Sequence, residues 1–151
     1  MKHWLFKTEP NSYSIDDLQR EKKTLWTGIR NYQVRNMLRA EIKKGDKVLI
    51  YHSSADNIGV VGLAEVISDG VSDSTAFDKK DHHYDPKSKK DNPTWYCVEI
   101  KFVKKFKEIL PLKVLKQQSE LMEMKLLQKG SRLSITPVTK SEYNFILKTN
   151  N

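Results

Sequence analysis

Between Trp26 and Arg39 the sequence Trp26-Thr27-Gly28-Ile29-Arg30-Asn31-Tyr32-Gln33-Val34-Arg35-Asn36-Met37-Leu38-Arg39 gathers side chains that bind phosphate or read the edge of a base. Placed on a helix at about 100° per residue, Val34, Met37 and Leu38 share one face, while Asn31, Tyr32, Arg35, Asn36 and Arg39 share the other. Guanidinium forks grip phosphate oxygens bidentately, and side-chain amides pair with base edges. A plain solvated helix face is the competing reading, since any surface helix needs a polar side. Trp26, in the loop before this helix, suits either a stacking wall for a base or an anchor in the core.

A second group closes an apolar strand at Tyr51-His52-Ser53. Alternation puts Leu49, Tyr51 and Ser53 on one face and Val48, Ile50 and His52 on the other. Tyr and Ser at a barrel mouth can stack on and hydrogen-bond a planar ligand. Tyr51 in the core and His52 as a satisfied strand-end residue is the alternative. Nothing here has the spacing of a hydrolase triad or a glycine-flanked nucleophile. His82 and His83 are adjacent, lack the spacing of a zinc site, and have only Cys97 as a thiol anywhere in the chain. Gly59-Val60-Val61-Gly62 is no phosphate loop and reads as a bulge or close approach within a strand. No metal and no cofactor is expected.

With 151 residues the chain suits a single domain over 1–151, and 38% hydrophobic content suffices for a globular core. Its longest apolar runs are too short for a bilayer. The lone Cys97 and the opening Met1-Lys2-His3-Trp4-Leu5, without secretory character, point to a reducing compartment. A cytoplasmic, monomeric protein with no membrane partner is expected. Residues 1–50 hold 11 Lys and Arg against 6 Asp and Glu, residues 51–100 hold 5 against 9, and residues 101–151 hold 11 against 4. If the outer thirds fold side by side they make a positive face for phosphate backbones, with Arg35, Arg39 and Lys105 as contacts and the acidic middle lying away. A lysine-rich soluble surface is the plainer explanation of the same numbers.

Several elements must position these groups. His3–Thr8 reads as a strand stopped by Pro10, and Ser14-Ile15-Asp16-Asp17-Leu18 as a capped helical turn. A helix of about ten residues starts at Tyr32. Lys47–His52 and Ile58–Ile67 read as strands, and Thr94–Phe106 as a longer one. Pro111 opens a helix, Leu121–Leu127 forms a second and Lys140–Leu147 a third. Ser68–Asn92 reads as a mobile surface loop. Strands dominate without β-α-β alternation, so the expected class is α+β, a small mixed or antiparallel barrel with short flanking helices.

Taken in order, Trp4-Leu5-Phe6-Lys7-Thr8-Glu9-Pro10, Tyr13-Ser14-Ile15-Asp16-Asp17-Leu18, Trp26 to Asn36, Gly45-Asp46, Tyr51-His52-Ser53 and Arg132-Leu133-Ser134 with Pro137-Val138 resemble the EVE domain family. The likeness spans nearly the whole chain. It implies a PUA-like β-barrel, related to YTH and ASCH domains, that recognises a modified base in DNA or RNA and does not catalyse. By the same resemblance Trp26, Arg30, Asn31, Tyr32 and Asn36 would surround the base, with Tyr51, His52 and Ser53 from the strand end and Arg132 and Ser134 from the late motif. Val34 departs from the Ala of many members, and Asp73 to Asp78 matches an acidic family pattern. Two rival classes stay open. One is a sensor binding an anionic metabolite through Arg30, Arg39 and Arg132; the other is a glycosylase or nuclease, for which no paired carboxylates are evident.

Overall fold

In the computed structural model, which describes residues 1–150, the chain runs β1 (His3–Thr8), α1 (Ile15–Glu21), β2 (Lys23–Leu25), α2 (Tyr32–Ala40), β3 (Lys47–His52) and β4 (Gly59–Val66). It continues through β5 (Val71–Ser72), β6 (Tyr96–Cys97), β7 (Glu99–Pro111), α3 (Leu112–Leu115), β8 (Ile135–Val138) and α4 (Lys140–Thr149). Six strands form one sheet in the order β2-β7-β4-β3-β1-β8, while β5 and β6 make a separate ribbon. Only the β1–β3 pair is parallel in this sheet. Register shifts at Ile50/Tyr51 and twice along β4 and β7 curl it into a half-barrel. At Gly62 a Cβ would fall 2.4 Å from the Lys104 carbonyl oxygen, so β7 approaches β4 there only because the residue is glycine.

Strand alternation divides the apolar residues between two cores. Trp4, Phe6, Val48 and Ile50 point to one face, where Ile15 and Leu18 of α1 and Val34, Met37 and Leu38 of α2 cover them. The helical face expected from spacing is the one that is buried. Leu5, Leu49 and Tyr51 point to the other face, beneath Leu115, Leu121, Tyr143 and Ile146. Each such side chain contributes about 1.5–3 kcal/mol on burial. Capping fixes the helix starts: Ser14 with Asp17 and Thr139 with Glu142 form reciprocal boxes, and the Asn31 side chain accepts from the Val34 N–H. The buried Asp46 carboxylate accepts from Trp4 Nε1 at 2.9 Å and from the backbone of Lys2 and Lys43.

Four expectations change. The strand over Thr94–Phe106 is broken at the buried Val98: β6 turns aside to pair with β5, and β7 runs on to Pro111. Pro111 is the extended residue capping α3 and not its first helical one. Leu121–Leu127 is two short 3-10 turns, because the two-residue step between buried Met124 and Leu126 does not follow a helical stripe. Ser68–Asn92, expected to be a mobile loop, is pinned by buried polar contacts described next. No helix among the described residues is long and apolar enough to cross a membrane.

Candidate functional site

The short edge strand β2 delivers the chain across the end of the sheet, where Trp26 packs on Phe6 of β1 at 5.5 Å and edge-on to Tyr13 at 5.8 Å. Its backbone N–H donates to Val98 O. The other sheet edge, β8, is approached through Ser134, whose carbonyl accepts from Lys7 N–H at 2.8 Å. Between these edges lies a cleft of about 580 Å³. Its walls are Lys7, Thr8 and Glu9 at the end of β1, Tyr13, the run Thr24 to Ile29, Ser134, and His82 with His83 from the loop between β5 and β6. Trp26 is only 9% exposed, so it is a core anchor that also presents part of its ring to the cleft.

That loop is held by Arg30, which spends all five guanidinium N–H donors on it and its surroundings. Nε and Nη2 donate to His83 O, Nη1 to Ile29 O and to Asp73 Oδ2, and Nη2 also to Thr75 Oγ1. Asp73 is fully buried, and burial alone would raise its pKa. Bonds from Thr75, from the Gly28 N–H and from Arg30 outweigh burial and hold the carboxyl below the usual carboxylate range. Asp85 accepts from Trp95 Nε1 at 2.7 Å, and Asp81 accepts from the backbone N–H and the ring Nδ1 of His83. Asp73, Asp81 and Asp85 therefore turn inward, and the segment brings His82 and His83 to the wall of the cleft. It does not lie away from it.

Within the cleft, burial lowers the Lys7 pKa. Neither Lys7 nor Glu9 makes an ion pair among the described residues. Thr8 Oγ1 donates to Tyr13 O, and Tyr13 donates its hydroxyl to Glu21. Burial, then the bond to Glu21, pushes the Tyr13 pKa up to about 12.

Of the residues expected around one pocket, Trp26 and Ser134 line the cleft. Arg30 and Asn31 stand beside it with their side chains consumed by the loop and by the α2 cap. Tyr32 is exposed and rests on Trp95 at 4.9 Å, with the Arg35 guanidinium over its ring at 5.2 Å. Asn36 accepts from Arg35 and Arg39 and faces a different groove, shared with Lys125, Lys129 and Leu133. Tyr51 lies in the second core, on the opposite sheet face, because strand alternation sends it there with Leu49. His52 Nε2 accepts from the Ile15 N–H at 3.1 Å and ties β3 to the start of α1. Ser53 bonds through its backbone N–H to Thr8 O. Arg132 is exposed and does not line the cleft.

Of the expected phosphate contacts, Arg35 also donates to Thr94 O, Arg39 is exposed on α2, and Lys105 bonds to Asp16. Lys7, Glu9 and His83 were missed. The first two sit at a strand end that reads only as a stop, and His83 is brought to the cleft by contacts distant in sequence. Asp81, His82 and His83 each bring one potential metal-ligand atom within 4.8 Å of the others, although Asp81 and His83 are already bonded to one another.

Residues 2–149 match the EVE domain. Human thymocyte nuclear protein 1 is 40% identical over 96% of this chain and 72% of its own length. A crystal structure of a protein from Pseudomonas syringae superposes with a TM-score of 0.93 at 43% identity, covering 99% of both chains. The human THYN1 protein in complex with 5-methylcytosine-containing DNA superposes with a TM-score of 0.91 at 38% identity, covering 100% of this chain and 98% of that one. The chain belongs to the EVE domain family.

Proposed function

We propose that this protein is a non-catalytic nucleic-acid-binding module that takes a modified base into the cleft between the two sheet edges. The observation that carries the reading is the meeting, in one cleft of about 580 Å³, of part of the Trp26 ring with hydrogen-bonding groups from Lys7, Glu9, Ser134 and His83. That volume falls in the range of ligand sites, about 300–1,000 Å³. The relative solved with 5-methylcytosine-containing DNA supports the class of ligand. Unstacking a base costs a few kcal/mol, least where it is already unpaired, and rim cations hold the backbone. Of the arginines expected to meet the strand, Arg39 and Arg132 are exposed and without carboxylate partners among the described residues.

Three proton carriers, His52, Tyr13 and Cys97, are engaged or hold their protons, which supports binding without chemistry and leaves His83 as the imidazole of the cleft. His52 uses Nε2 to accept from Ile15, and Tyr13 holds its proton to about pH 12. The Cys97 thiol, pushed up to about 12 by burial and then by Asp73, is buried. An anionic-metabolite sensor is less well supported, because Arg30 has no donor left to offer. The test is titration of oligonucleotides carrying 5-methylcytosine, another modified base or none, across a salt series, followed by mass spectrometry of the recovered strand. Preference for a modified strand, a steep salt slope, insensitivity to chelator and an unchanged strand are expected. A released base or a cut strand would overturn the reading.

A further inference from the structure

His83 is held on the cleft wall from several sides. Asp81 Oδ1 accepts from its backbone N–H at 2.8 Å and lies 3.0 Å from its ring Nδ1. Arg30 grips its carbonyl with two bonds, at 2.7 and 3.1 Å. The ring lies so close to the backbone at Gly28 that a Cβ there would fall 2.7 Å from Cε1 and 2.8 Å from Nε2. Gly28 has φ +86, a conformation that suits glycine, so local backbone and close approach call for the same residue. The effect is a ring whose backbone on both sides, Nδ1 and one surface are all determined by neighbours. Only Nε2 has no partner among the described residues.

An ionised carboxylate can only accept, so Nδ1 donates to Asp81, and in the neutral form of the ring this tautomer leaves Nε2 as an acceptor. We propose that His83 is a specificity-determining residue whose Nε2 accepts a hydrogen bond from the exocyclic amino group of the bound base. The inference rests on the base-binding reading above. Amino groups of the cytosine and adenine class project from the base edge and carry two hydrogens. The ring N–H of thymine or uracil lies between two carbonyl oxygens, whose lone pairs would face the lone pair of Nε2. The unpaired carboxylate of Glu9 in the same cleft opposes a keto edge for the same reason. A side chain fixed before the ligand arrives loses no rotamer entropy on binding, which is why its support by Asp81, Arg30 and Gly28 bears on specificity.

The test uses two single-stranded oligonucleotides, one with a single 5-methylcytosine and one with thymine in its place, which keep the methyl group and exchange amino for keto. The intact protein should favour the 5-methylcytosine strand roughly tenfold, the size of one net hydrogen bond. H83F keeps a ring on the wall but removes the acceptor. It should bring the two affinities together while leaving thymine-strand binding within about twofold. H83Q, which restores an acceptor, should recover part of the preference, and circular dichroism melts establish that both variants fold. If H83F retains the full preference, or the intact protein binds both strands equally, the role of His83 is overturned while base binding stands. Failure of the intact protein to bind either strand would overturn the base-binding reading and this inference together.

Discussion

Arg30 and Asp73, 43 residues apart in sequence, meet at 3.1 Å as a pair in which the carboxylate is fully buried and the guanidinium is four-fifths covered. This contact turns the loop after β5 into a wall of the cleft. Arg30 also lies over Trp95, with Cζ 5.3 Å from the ring centroid, so one side chain joins the turn before α2, the loop and the residue before β6. Arg30→Ala should cost about 3–5 kcal/mol in denaturant unfolding, because it leaves the Asp73 charge buried and unpaired. Arg30→Lys should recover little, since an ammonium cannot serve five donors in a plane. Normal stability of Arg30→Ala would show that the loop is held by something else.

Trp26 separates two contributions that sequence alone left as alternatives. It packs on Phe6 and Tyr13 and still lines the cleft. Trp26→Ala should therefore lose about 3–5 kcal/mol of stability. Trp26→Phe, which retains part of the packing, should keep most of the stability and still lose about 1–3 kcal/mol of base affinity through its smaller stacking surface. Chemical denaturation and oligonucleotide titration of the two variants distinguish the anchor from the wall.

Much of this fold is legible where one local rule acts alone. Alternation in Lys47–His52 sorts Val48 and Ile50 from Leu49 and Tyr51, and the structure puts the two sets in different cores. The helical spacing of Val34, Met37 and Leu38 likewise identifies the buried side of α2. Edge strands are another matter. β2 pairs through Lys23, Thr24 and Leu25, which carry no apolar alternation, and β8 includes Pro137, so neither reads as a strand until its neighbour in the sheet is known. The cleft lies between those edges, which is why Lys7 and Glu9 were passed over. Tyr51 lies away from this cleft on a rule the sequence already contained, because the face it shares with Leu49 is the one turned away from Trp26 and Phe6. Resemblance pointed to Trp26, which lines the cleft; Arg30 is engaged by distant Asp73, Thr75 and His83, whereas Asn31 and Asn36 are engaged by Val34, Arg35 and Arg39, one to three residues away.

Salt dependence should divide the expected phosphate contacts. Lys105 is engaged by Asp16, whereas Arg39 has only a long contact to Asn36. Arg39→Ala should lower the slope of log affinity against log salt by about one unit if it meets a phosphate. Lys105→Ala should leave the slope nearly unchanged. An equal drop for both variants would mean that the strand displaces Asp16 and runs along β7.

Burial lowers the pKa of His52, against the opposing attraction of Asp16, and its neutral Nε2 accepts from Ile15. Between the lowered folded value and the ordinary histidine value of 6.5 the unfolded chain binds more protons, so stability rises with pH across that window. The contribution is fully present above about pH 6.5 and is lost as the pH falls through the folded value. His3, also lowered chiefly by burial, acts in the same direction. His52→Gln keeps an acceptor for Ile15 and removes one titration, so its unfolding midpoint should fall less on acidification than that of the parent. Parallel midpoint curves for the two proteins would assign the acid sensitivity to other groups.

Thr136 sits in β8 opposite Leu5, 2% exposed, and its Oγ1 is the one buried side-chain polar atom without a hydrogen-bond partner among the described residues. Its partner across the strands, Leu5, belongs to the second core, whose side chains are mostly aliphatic. An unpaired buried hydroxyl costs about 1–3 kcal/mol in lost solvation. Thr136→Val preserves the branched shape that suits a strand and replaces the hydroxyl by a methyl of similar size. The variant should therefore be more stable by about 1 kcal/mol or more, read as a higher denaturant midpoint with an unchanged slope. Because Thr136 lines the groove with Asn36 and Lys129 and not the cleft with Trp26, base affinity should be unaffected. A destabilised Thr136→Val would mean that the hydroxyl has a partner in solution, and a buried water bridging it to the β8 edge would then be the structure to look for.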